Sequence, residues 1–279
     1  MWCSEGTVPI TMADDLTDAD GGTTEPDGGT TDPDGGMPAH PDPGVLRVAL
    51  AQVPAMPADS RTNLTSQVRW VHRAATQHVD LVVFPALSLT GYELFLLAEG
   101  KLDLSLGDPV VEPLQNAAMR LGLTVVTSAP LLVDGDRLLT SLAISPDGAV
   151  TVYAQQWLAP EEKAVFTAGS QAAVVVVRGR RVLLGLGADA AEPSHIASTP
   201  ADLYCVSGRW FDRGSMESRL GQRAGEAGVH VLAANYAGRT GGNQSCGASG
   251  AWDPTGERVA GARGTGSELV LVDIPPAAR

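Results

Sequence analysis

The sequence predicts an α/β layered fold carried by a single domain from residue 45 to residue 279, on three observations. Apolar runs of strand length recur along it, segments of helical periodicity fall between some of them, and turn signals join neighbouring runs as antiparallel hairpins. A sheet with helices on one face and hairpins folded into it means α/β layers, not a plain doubly wound sheet.

In chain order, the strand-like runs are Val45 to Val53, Leu81 to Phe84, Leu123 to Ala129, Leu138 to Ile144 and Val150 to Tyr153. Ala172 to Val177, Val182 to Leu186, Leu203 to Val206, His230 to Ala234 and Leu269 to Asp273 follow. Runs of this length and composition read as strands. Residues 62–78 place Leu64, Val68, Val71 and Ala75 on one face of a helix; Val110 to Leu121 and Ser215 to Ala227 predict two more. Pro146-Asp147-Gly148 and Asp253-Pro254-Thr255-Gly256 are the hairpin turns.

Charge separates the beginning of the chain from the rest. Of the formal charge of −13, residues 1–44 hold ten Asp or Glu and no Lys or Arg, with a tandem of GGTTEPD and GGTTDPD. Such a segment has little apolar surface to offset ordering entropy and is expected to be a disordered tail. Asp18-Ala19-Asp20-Gly21 has part of a calcium-loop pattern, but Leu16 stands where an acid is needed. Met12 and Met37 are internal candidates for the start. The remainder, 22 acidic against 19 basic residues, has no footprint for nucleic acid or an anionic membrane. No 18-residue apolar run or secretory signal occurs, so the expected location is the cytoplasm. Cys3, Cys205 and Cys246 give neither a disulfide framework nor a metal-ligand pattern, and no metal or cofactor is expected. The sequon Asn63-Leu64-Thr65 is then a chance match.

Four segments in order carry a family resemblance. Arg47-Val48-Ala49-Leu50-Ala51-Gln52, Asn63 and Val79-Asp80-Leu81-Val82-Val83-Phe84-Pro85 form the first. Tyr153-Ala154-Gln155-Gln156-Trp157-Leu158-Ala159-Pro160-Glu161-Glu162, closed by Phe166-Thr167-Ala168-Gly169, is the second. Val182-Leu183-Leu184-Gly185-Leu186-Gly187-Ala188-Asp189 with Pro193 is the third. Ala234-Asn235-Tyr236, Gly241-Gly242, Gly247-Ala248-Ser249 and Asp253-Pro254-Thr255-Gly256 complete the set. The ordered set resembles the carbon-nitrogen hydrolase (nitrilase) superfamily across nearly everything after residue 45. That resemblance implies a four-layer α-β-β-α sandwich.

It also implies chemistry by a Cys thiolate that attacks an amide or nitrile carbon, a carboxylate that moves its proton, and an ammonium that steadies the developing charge. By register within the motifs, the carboxylate position is Ala86, the ammonium position Gln155 and the nucleophile position Gly187. Losing one member of a buried acid-base pair strands a charge at about 3–5 kcal/mol, whereas neutralising both can be nearly free. Ala86 and Gln155 neutralise both. Gly187 would tolerate any strained backbone kept from a nucleophile turn.

Glu162 resembles a supporting glutamate of the family; if buried it would face Gln155, through a hydrogen bond or as a protonated carboxyl, and otherwise it is an exposed loop residue. Tyr92 would wall a pocket or fill core, Trp157 core, and Cys246 a pocket mouth as a bystander thiol. Glu93, Lys163 and Cys205 are the nearest chemical substitutes, but the first two read as surface and Cys205, within an apolar strand, as packing. Gly185-Leu186-Gly187-Ala188-Asp189-Ala190 has a dinucleotide-loop form, which Pro193 argues against by cutting short the helix such a loop must open; His195 reads as a helix or loop residue. The expected function is binding or assembly by a catalytically silent member. A weak or atypical amidohydrolase and a small-molecule sensor are the alternatives. The expected partners are a second copy or an active relative, with a small-molecule ligand.

Overall fold

A computed structural model describes residues 44–276. The expected tail therefore lies, apart from Gly44, outside the described residues. The first half of the fold runs β1 (Leu46–Gln52), α1 (Ser60–Ala75), β2 (Leu81–Val83), α2 (Leu94–Leu97), α3 (Glu112–Leu121), β3 (Thr124–Val133), β4 (Asp136–Ile144) and β5 (Val150–Ala154). The second runs β6 (Val174–Val177), β7 (Arg180–Leu186), α4 (Pro193–Ala197), β8 (Leu203–Ser207), α5 (Arg213–Ala227) and β9 (His230–Ala234). A small ribbon, β10 (Arg239–Thr240) with β11 (Asn243–Gln244), precedes β12 (Gly250–Trp252), β13 (Arg258–Gly261) and β14 (Glu268–Ile274).

Two mixed six-stranded sheets result, in the orders β14-β1-β2-β3-β4-β5 and β13-β12-β9-β8-β7-β6. They share one pairing pattern. Counted from β14 and from β6, the pairs run antiparallel, parallel, parallel, antiparallel, antiparallel. These are the two sheets of the four-layer sandwich that the family resemblance implied.

Period-2 alternation explains the layering. Val48, Leu50, Leu81 and Val83 point to the same core as Val182, Leu184, Leu203, Cys205 and Leu232, which is the space between the sheets. Their neighbours Ala49, Ala51, Val82 and Phe84 face outward onto Leu64 and Val71 of α1 and Leu114 and Ala118 of α3. On the far side, Leu183, Tyr204, Val206 and Val231 pack on Met216, Leu220 and Ala224 of α5. Both faces of every central strand are therefore apolar, and the order is α-β-β-α.

Asn63 is buried at 3% exposure, its amide bridging Met56 and Leu89, so the sequon is not presented by the folded chain. No helix among the described residues is long and apolar enough to cross a membrane.

Candidate functional site

Strand ends that sit together in space converge on one cleft. Ala86 follows β2, Gln155 follows β5, Gly187 follows β7, and Arg209 and Trp210 follow β8. These residues, with Tyr92, Ala159, Glu161, Glu162, Ala188 and Arg219 of α5, line a cavity of about 160 Å³. All three positions singled out in the sequence thus share one site.

The backbone at Ala86, at the end of a strand of the first sheet, is fixed from the second. Its N–H donates to Gly208 O at 3.3 Å, and its carbonyl accepts from the Tyr236 hydroxyl at 2.5 Å, both partners lying beyond strands of the second sheet. Leu87 follows in the left-handed region at φ 53°, with its N–H on Ser128 Oγ at 2.7 Å. A leucine in that conformation is strained and persists because its surroundings over-determine it. The strain expected at Gly187 is instead here. Gly187 lies outside the left-handed region, since the chain leaves β7 directly into a 3-10 turn, Gly187–Ala191. A Cβ built on Gly187 meets nothing within 4 Å, so a side chain there would project into open cleft.

Gln155 is fully buried, and its Nε2 donates to Trp157 O and to Glu162 Oε2, each at 2.7 Å. Glu162, 4% exposed, also accepts from Ala159 N at 2.7 Å and from the Tyr92 hydroxyl. Glu162 thus faces Gln155 through a hydrogen bond and is not an exposed loop residue. Burial, then the Glu162 carboxylate, pushes the Tyr92 hydroxyl well above the usual phenol range, so it stays protonated. Tyr92 both fills core and walls the cleft. Gln155 Oε1 has no hydrogen-bond partner among the described residues.

Trp157 and Cys246 depart from expectation, and the remaining candidates do not. Trp157 is half-buried, outside the apolar clusters, and stands edge-on to His195 at 5.4 Å between ring centroids. Its backbone N–H, with that of Gln156, is turned onto Asp189 Oδ1, which holds this segment beyond the end of β5 and out of the core. Cys246 is half-buried with Sγ 3.4 Å from Asn235 Nδ2 and does not line the cleft. Cys205 is a packing residue whose thiol burial pushes up to about 12. Lys163 is exposed, and Glu93 accepts from Gly241 N at 2.8 Å. The five-residue α4 after the glycine turn is too short for the dinucleotide reading.

Sequence reasoning missed two features. Arg209 stacks its guanidinium over Tyr92 at 3.8 Å and Phe211 at 4.7 Å, and pairs with Glu161 at 3.2 Å. Its signal was position, directly beyond the strand run Leu203 to Val206. The second feature is a buried relay behind Gly187. Tyr153 donates its hydroxyl to Asp189 Oδ2 at 2.6 Å and lies 2.9 Å from His195 Nε2, while His195 Nδ1 lies 2.9 Å from the Tyr204 hydroxyl. With Tyr153 donating to the carboxylate, one chain satisfies every member: Tyr204 donates to Nδ1, and Nε2–H donates to Tyr153.

Over residues 47–279 the chain matches the carbon-nitrogen hydrolase family. No curated protein matches it. Among solved structures it is similar to a glutamate-to-leucine mutant of the amidase from Nesterenkonia sp. AN1, which shows covalent addition of the acetamide moiety of fluoroacetamide at its active-site cysteine. That likeness is 28% identity and a TM-score of 0.78 over 86% of this chain and 94% of the other. A cysteine-to-alanine mutant of the same amidase, described as of the nitrilase superfamily, gives 29% and 0.77 over 85% and 94%. A double mutant in complex with acrylamide gives 28% and 0.76 over 84% and 92%.

Proposed function

The chain belongs to the carbon-nitrogen hydrolase family, and from that premise we propose that it is a catalytically silent member acting by binding or assembly. One observation carries this reading. The residues lining the cleft include no Cys, Ser, Thr or Lys, and the one hydroxyl among them, that of Tyr92, is held protonated. Covalent attack on a carbonyl or nitrile carbon needs a nucleophile that can be activated in place. Loss of one charge-stabilising donor alone costs about 100- to 1,000-fold, and loss of the nucleophile removes the covalent route. Of the two carboxylates that line the cleft, Glu161 pairs with Arg209 at 3.2 Å, and Glu162 has both oxygens occupied by Tyr92, Gln155 and Ala159, so it is committed to holding the loop after β5.

The reading is tested by Ala86→Glu, Gln155→Lys and Gly187→Cys combined, assayed beside the parent on a panel of amides and nitriles. The open space at Gly187 allows the cysteine without displacement. Hydrolysis in the triple variant alone is the expected result. Turnover by the parent chain, abolished by a change in the cleft, would instead favour the weak amidohydrolase.

A sensor is the second reading, favoured by the open cleft that Ala86, Gln155 and Gly187 line. The assembly arm, with a second copy or an active relative, is measured by sedimentation of the chain alone and mixed with such a relative.

A further inference from the structure

We infer that the chain has a second binding site, on the outer face of its first sheet, for a compact uncharged hydrocarbon group such as a single aromatic ring. The site is a cavity of about 150 Å³, and it shares no lining residue with the cleft at the strand ends.

Its walls come from the sheet and from the chain that leads into α3. Leu131 of β3, Leu142 of β4 and Val152 of β5 line one side, and Leu142 and Val152 are direct cross-strand partners. Leu104 runs beside β3, its N–H on Pro130 O at 3.0 Å and its carbonyl accepting from Leu132 N at 2.8 Å. Val111 closes the 3-10 turn Pro109–Val111 and joins Leu104, Leu131 and Leu142 in the outer apolar cluster. Residues 105–108 bridge Leu104 to that turn as a loop, which Gly107 turns through the left-handed region at φ 75°. The cavity is thus a gap in the core between sheet and helix layer, and packed interiors leave few voids larger than a water.

Its polar accounting decides what it takes. Asp108 and Gln115, the charged and amide side chains of the lining, are both turned to the backbone. Asp108 Oδ1 caps the 3-10 turn by accepting from Val110 N at 2.9 Å, and Gln115 Nε2 donates to Gly148 O at 3.3 Å. None of the buried side-chain nitrogens and oxygens that lack a partner among the described residues belongs to the lining. A water in such a space needs about two to four polar partners, whereas an apolar cavity on the order of 150 Å³ stays dry and takes up hydrocarbon.

The way in has the same character. Leu106 and Val150, 63% and 37% exposed, are the exposed apolar side chains of the lining, so a ring that fills the gap also covers apolar surface now facing water. Asp108 sets a negative charge beside the cavity, which disfavours an anion there.

Isothermal titration of the full chain with toluene, phenol and benzoate tests this, since the three share one ring and differ in what it carries. Toluene is expected to bind at one site per chain, phenol at least fivefold more weakly, and benzoate not at all. Val152→Phe puts a ring into the cavity from β5 and is expected to weaken toluene binding at least tenfold while the thermal midpoint holds or rises. A crystal of the parent chain pressurised with xenon is expected to place an atom against Leu131, Leu142 and Val152; that measurement decides alone if Val152→Phe fails to fold. Absence of toluene binding, phenol bound as tightly as toluene, undiminished toluene binding in a folded Val152→Phe, or no xenon at this place overturns the inference.

Discussion

Asp189 and His195 join two opposite consequences of burial in one hydrogen-bonded chain. Burial holds the Asp189 carboxyl up, at about 6 against an ordinary 3.8, and holds the His195 ring down, at about 4 against 6.5. An acid raised in the folded state contributes stability below its unfolded value that is lost as pH rises through about 6. A base lowered in the folded state contributes stability above 6.5 that is lost as pH falls through about 4. Acidifying from pH 6.5 to 4 therefore strengthens one and weakens the other, each on the order of 3 kcal/mol, and the parent's response at this site should nearly cancel. Asp189→Asn is expected to lose stability over that window more steeply than the parent, and His195→Gln to gain. Urea denaturation at the two pH values reads the slopes directly, and three coincident slopes would refute the description. Protonated His195 would also turn its Nδ1–H onto the Tyr204 hydroxyl, reversing the relay at that end.

Strand β7 shows how two glycines in one element differ in kind. A Cβ at Gly185 would collide with the ring and hydroxyl of Tyr204 on β8, whereas one at Gly187 meets nothing. Gly185→Ala should cost about 1–3 kcal/mol through overpacking, and Gly187→Ala should stay within about 0.5 kcal/mol. Thermal unfolding of the pair separates them. Legibility at this scale follows burial. The run Leu81 to Phe84 could be read because every one of its residues is buried, as are all of β8, the run Val182 to Leu186 of β7 and Val231 to Ala234 of β9. β12, Gly250–Trp252, was unreadable because three residues beginning with glycine carry no alternation, and α4 because five residues give a helix no period. At the site, Ala86, Gln155 and Gly187 were legible only through the residues around them, since a methyl, an amide and a missing side chain announce nothing themselves. Arg209 and Arg219 were illegible because a single arginine acquires its meaning from the rings or the cleft it meets in space.

Across the whole molecule the halves are not independent, because β14 leaves the second sheet's neighbourhood to pair with β1 of the first. Seven residue pairs join them, from Leu46 with Ile274 to Gln52 with Glu268. Val270, Val272 and Ile274 also reach the core between the sheets. Burying each such side chain contributes about 1.5–3 kcal/mol, so deleting residues 268–279 should abolish cooperative unfolding. Leu271→Ser, on the exposed face of the same strand, should shift stability by about 0.5 kcal/mol or less. A denaturant titration distinguishes the two, and a truncated chain that still unfolds in one sharp step would refute the dependence. The same pairing imposes an order of events during synthesis. The outer edge of β1 has no hydrogen-bonding partner until residue 274 has left the ribosome, more than two hundred residues after β1 itself. A nascent chain at that stage exposes an unpaired, largely apolar strand edge, the kind of surface that chaperones shield and that pairs with other chains when they do not.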